Sequence, residues 1–299
     1  MRTGLATAAN AQALRADAAG EQVRYLGLAA PALLIVSVLL ALPVGWMAWL
    51  SLLAQDGSFG LANYRDLALE TVNLDSILTT FRISATVTLI CLLLGYPFAY
   101  ALAEMPRRWS NLLMVAVILP YWTSILVRTY AWLVLLQRRG LVNQALQTSG
   151  IVDEPLRLVH NEIGTIIGMT HIMLPFLILP LYAAMRAIDR SYIRAAASLG
   201  ASPVRVFWTV FVPLSLPGVA SGTFLIFVIC LGFYITPAIL GGGRVAMVAQ
   251  QIEKSLTLYA HFGAASALGI VLLVLSMATI WLAVRLAERG PTSLAGTRP

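Results

Sequence analysis

The chain is poor in charge. Only 11% of its 299 residues are Asp, Glu, Lys or Arg, while 59% are hydrophobic. That balance excludes a soluble globular domain and belongs in a bilayer. Cysteine is as scarce: Cys91 and Cys230 both lie inside apolar runs, so packed free thiols are expected and a disulfide framework is not. No Gly-x-x-x-x-Gly-Lys-Ser/Thr sequence occurs, so the chain cannot cradle ATP in a P-loop. The Gly241-Gly242-Gly243-Arg244 run reads instead as a turn at a helix end. His160, His171 and His261 show no metal-ligand spacing, and His171 is expected to be a packed, hydrogen-bonded residue. No cluster of nucleophile, base and metal ligands points to an enzyme. No apolar run holds an Asp or Glu near its centre, where proton- and sodium-driven carriers often place one. The first 22 residues lack the apolar core of a signal peptide.

What is present is a set of long apolar runs. Six stretches, near 26–54, 83–103, 112–137, 163–187, 216–240 and 262–286, could each cross ~30 Å of hydrocarbon. They imply an all-α integral membrane protein of about six transmembrane helices, spanning 25–288 between tails at 1–24 and 289–299. Arginine placement orients it. The N-terminal tail, the second and fourth loops and the C-terminus hold twelve arginines against five acids, whereas the other loops hold seven basic and eight acidic residues. By the positive-inside rule both termini are cytoplasmic. The pI near 9.8 thus reports topology and is no argument for nucleic acid. The first tail reads as a disordered or loosely helical extension without an assigned role.

Two segments break the apolar monotony. The first, DRSYIRAAASLGASPVRVFWTVFVPLSLPG, occupies 189–218. Asp189 or Ser191 can cap a short helix carrying Ala195, Ala196 and Ala197, and Gly200 can end it. Ser202-Pro203 then supplies an N-cap and first-turn pair for a second helix, and Pro213 is expected to break or kink the chain as it enters the next apolar run. Small side chains on the first helix would let another protein approach its backbone. The second segment, Leu119-Pro-Tyr-Trp-Thr-Ser-Ile-Leu-Val-Arg-Thr-Tyr-Ala-Trp132, places an arginine in an apolar run, which costs a few kcal/mol unless it meets a partner or water. Helical spacing puts Ser124, Arg128 and Trp132 on one face, with Trp132 able to stack on the guanidinium. Arg128 either faces a cavity or snorkels to the interface.

The Ala195-Ala196, Gly200-Ala201-Ser202 and Pro213 pattern resembles the cytoplasmic EAA loop of ABC importer permeases, where an ATPase docks. The resemblance implies ATPase coupling through Arg194, Ala195, Ala196, Leu199, Gly200, Ala201, Ser202 and Pro213, in a loop of about 187–213. One departure matters: the family usually begins this motif with Glu, and here Arg194 reverses the charge. The Leu-Pro-x-Trp-Thr-x-x-x-x-Arg pattern of 119–128 resembles the spermidine/putrescine branch of the same permeases. Gly140-Leu-Val-Asn143, Gly150-Ile-Val-Asp153-x-Pro155-Leu156, Met173-Leu-Pro175-Phe176, Pro180-Leu-Tyr182, Gly232-Phe-Tyr234 and Phe262-Gly-Ala-Ala265 extend the match across nearly the whole chain.

That resemblance implies the type I importer fold and an inner-membrane location. It also implies half of a pathway for a small organic ion such as spermidine or putrescine. Expected partners are an ABC ATPase dimer, a second and different permease chain, and a periplasmic or lipid-anchored substrate-binding protein. ATP and Mg would sit on the ATPase, with no cofactor in this chain. Pathway candidates are Trp122, Ser124, Arg128, Tyr130, Trp132 and Tyr234, with Tyr182 behind them; each aromatic could equally be an interfacial anchor. A secondary transporter or channel is the competing reading; it leaves the 189–218 helix pair unexplained.

Overall fold

The computed structural model describes residues 2–288, which form thirteen α-helices and no β-strand. The expected tail at 289–299 lies outside the described residues, and no helix boundary falls at 24/25 because α1 runs unbroken over Arg2–Ser51. Short α2 (Ala62–Leu69) leads into α3 (Thr71–Glu104), and α4 (Arg107–Ile118) into α5 (Ile125–Leu135). The short α6 (Leu141–Thr148) precedes the long α7 (Glu162–Arg186). Beyond it come α8 (Arg190–Ser198), α9 (Pro203–Val206) and α10 (Val212–Leu231). The chain closes with α11 (Ile235–Leu240), α12 (Val248–Thr257) and α13 (Phe262–Glu288).

Among the described residues, five helical segments are long and apolar enough to cross a membrane: Gly27–Ser51, Thr71–Glu104, Glu162–Arg186, Pro203–Leu231 and Phe262–Leu282. The third expected span is different. It is two helical pieces, Arg107–Trp122 and Ile125–Leu135, bent by 96°. Pro120 sits in a 3-10 turn over Leu119–Trp122, and the extended Thr123 and Ser124 beyond it start a new helix in a new direction.

The fifth span also shifts. It begins well before 216 and ends at Leu231, not Leu240, because the chain turns at Gly232 and restarts as α11. Pro213 does not interrupt it. A π-helical turn over Phe207–Phe211 precedes the proline, with the Val212 N–H bonded to Phe207 O. Widening the helix there accommodates a residue that has no N–H and whose ring crowds the preceding turn.

Helices α3, α7 and α10 form the packed centre. Ile83, Val87, Met169, Met173, Leu177 and Ile226 are buried there with both cysteines. Packing between membrane helices draws no hydrophobic gain from lipid, so close backbone approach carries it. Gly218 shows the requirement: a Cβ there would overlap the Ala184 methyl of α7. Helix α1 lies along α13 and leaves its apolar side chains outward, Leu33, Leu39 and Leu42 among them.

Candidate functional site: coupling segment and broken span

The 189–218 segment folds as its residues dictate. Asp189 caps α8, its Oδ1 accepting the Ser191 N–H at 2.8 Å. Two hydrogen bonds from Ser191 and the nearby Arg194 charge hold the Asp189 carboxyl below the usual aspartate value of 3.8. Helix α8 ends at a turn in which Gly200 adopts φ +84°, and the Ala201 N–H closes it on Ala196 O. Ser202 Oγ then accepts the Arg205 N–H to cap α9.

This helix pair is fastened to the bundle at two points. Arg190 pairs with Glu104, and Arg186 and Arg190 donate to the Ala103 carbonyl at 2.7 and 3.2 Å. Two guanidinium groups thus satisfy the carbonyl end of α3, where the helix dipole is negative. The second fastening is aromatic: Tyr100 of α3 meets Phe207 and Phe211 edge-on, with ring centroids at 5.1 and 4.9 Å. Displacing α8 and α9 would therefore pull on α3 directly and on α10 through the π turn. Arg194, Ala195 and Leu199 stay exposed, Leu199 at 89%.

The broken span gathers the second group of residues. Ser124 is the N-cap of α5 and accepts the Leu126 N–H. The Arg128 guanidinium lies over the Tyr121 ring, 5.6 Å from its centroid, so Tyr121 takes the place that helical spacing assigns to Trp132. Trp132 packs edge-on against His171 of α7 at 5.6 Å. Arg128 Nε and His171 Nδ1 are both buried and have no hydrogen-bond partner among the described residues, so the hydrogen bond expected for His171 is not seen at Nδ1. His171, with Leu94, Phe98, Val117, Pro120 and Pro175, lines an adjoining apolar cleft of about 420 Å³.

Trp122 (88% exposed) and Tyr130 (55%) project outward, Tyr130 two residues from Arg128 and so on another side of α5. Tyr234 precedes α11, which is held to α5 by a buried Thr129–Thr236 hydroxyl pair at 3.3 Å. The structure thus joins Arg128, Trp132, Tyr121 and His171, and leaves Trp122, Tyr130 and Tyr234 apart from that group. Tyr121 adjoins a residue already singled out, and His171 is the lone histidine of its apolar run.

At the end of the bundle opposite α8, the loop around α6 is built on one side chain. Asn143 is fully buried; its Nδ2 donates to Gln137 O and Leu156 O at 3.0 Å each, and its Oδ1 accepts the Leu156 N–H at 2.8 Å.

Residues 93–289 match the family model described as the binding-protein-dependent transport system inner membrane component. The chain belongs to this family. Among its relatives is the spermidine/putrescine transport system permease protein PotB of Haemophilus influenzae, 34% identical over 75% of this chain and 81% of that protein. PotB of Escherichia coli is 32% identical over 77% of this chain and 85% of its own. In fold, the permease resembles a chain of the bacterial alginate ABC transporter solved with a pentasaccharide-bound periplasmic protein. There the TM-score is 0.71 at 18% identity, over 90% of this chain and 96% of that one. This permease is accordingly a multi-pass inner-membrane subunit of an ABC importer, a transport component.

Proposed function

We propose that this permease forms half of the membrane passage of a polyamine importer. The observation that carries this reading is the one-third identity to spermidine/putrescine permeases over three quarters of the chain. A second, different permease would complete the passage. A pair of ATPase subunits holding ATP and Mg would act on the α8–α9 segment from the cytoplasm, and arginine asymmetry supports a cytoplasmic position for both termini. A soluble or lipid-anchored binding protein would deliver substrate to the opposite end, where the Asn143 loop lies.

The broken span suits such a cargo. Polyamines alternate ammonium groups with methylenes, and the bend offers aromatic rings beside an apolar cleft. Arg128 repels a cation close by, so the polycation passes without lodging, as conduction requires binding weak enough to release. Trp122, Ser124, Arg128, Tyr130, Trp132 and Tyr234 remain the proposed contacts along the passage. The test is uptake of labelled putrescine and spermidine by cells lacking polyamine importers, supplied with this chain and its flanking genes. Saturable, ATP-dependent uptake is expected; none, with the chain present in the membrane, would refute the polyamine reading.

A further inference from the structure

The end of the molecule that carries α8 is one-sided in charge. It holds two acids, Glu104 and Asp189, among residues 104–110 and 186–208. Both are already engaged: Glu104 by Arg190, and Asp189 by the α8 backbone. Arg186 and Arg190 are engaged as well, on the Ala103 carbonyl. Arg107, Arg108, Arg194 and Arg205 are left exposed and, among the described residues, form no ion pair within 4.0 Å. Between them stand apolar side chains that nothing covers among the described residues, Leu199 at the turn and Tyr192 on α8, 58% exposed.

A surface that offers apolar contact and only positive charge is complemented by an apolar groove with a negative rim. We infer that the ATPase groove receiving α8 is rimmed by carboxylates, one of which faces Arg194. The inference rests on the ATPase-driven reading above and adds the chemistry of the partner. Two short helices, capped at both starts and clamped to α3, present this charge at fixed positions, which suits a shaped protein groove better than a fluid lipid surface.

The test uses the assembly purified from membranes with its own ATPase. Association should weaken with added salt. Arg194→Lys should retain the ATPase. Arg194→Glu, which sets like charges together, should lose roughly tenfold in ATPase retention and recover it when a groove carboxylate is changed to Lys. Undiminished retention by Arg194→Glu, or loss in Arg194→Glu that no groove charge reversal restores, overturns the inference. If Arg194→Glu leaves ATPase retention unchanged but abolishes a dependence of uptake on anionic lipid in the reconstituted membrane, the patch serves lipid and the inference also fails. Absence of any ATPase from the wild-type assembly would instead refute the reading beneath it.

Discussion

Replacing Gly200 isolates the turn of the coupling segment from everything around it. Its φ of +84° lies where an L-residue is strained, and a Cβ there would meet nothing within 4 Å. The cost of substitution is therefore conformational. For an ordinary L-residue in the left-handed region it is roughly 1–2 kcal/mol; it is smaller for Asn and larger for a β-branched residue. One to two kcal/mol changes the ratio of formed to unformed turn by about 5–30-fold. In proteoliposomes with the ATPase and loaded binding protein, substrate carried per ATP hydrolysed should fall in the order Gly200→Asn, Gly200→Ala, Gly200→Val. The amount of each variant in the membrane should not change. Full coupling in the Val variant would refute transmission of motion through this turn between α8 and α9. An Asn variant as poor as Val would show that side-chain bulk, not φ, is what the segment excludes.

Three further outcomes are expected. Arg128→Leu removes an intramembrane charge that costs ~2.5–3.5 kcal/mol at a helix centre, so thermal stability should hold or rise while uptake falls; unchanged uptake would make Arg128 a snorkelling residue. Asn143→Ala deletes three hydrogen bonds of a buried side chain, about 1.5–4.5 kcal/mol at ~0.5–1.5 each. It should open the loop at 140–156 to limited proteolysis and lower uptake driven by the binding protein; an unaltered digest would contradict this. The Asp189 carboxylate, held below its usual value, stabilises α8 above the unfolded aspartate pKa and loses that effect only as pH falls through the lowered one. ATPase retention should thus be flat across neutral and mildly acidic pH, with Asp189→Asn tolerated and Asp189→Ala weaker; a fall near neutral pH would contradict the cap.

Where local chemistry decides structure, the sequence was a sufficient guide. Asp189, Gly200 and Ser202-Pro203 specify a cap, a left-handed turn and a second cap without help from distant residues, and α8 and α9 form between them. Apolar length found the membrane segments but carries no direction. A run that changes course by 96° at Thr123-Ser124 has the same hydropathy as a straight one, although Pro120 and the Ser124 cap are visible in it. Assuming a straight helix also put Trp132 on Arg128, when the ring that meets the guanidinium comes from before the break. His171 joins the group only through the packing of α7 on α5, which no spacing within one run reveals. Pro213 shows the converse: the break it favours is avoided by a π turn in the preceding residues.

The central claim is that ATP hydrolysis on a partner moves this chain through α8 and α9. The most direct test is to purify the tagged chain gently with its neighbours, reconstitute what is recovered, and measure transport with and without ATP. The account predicts an ATPase and a second six-span chain in the assembly, hydrolysis raised by the loaded binding protein, and uptake that requires both. Recovery of this chain alone, transporting without ATP, would contradict it.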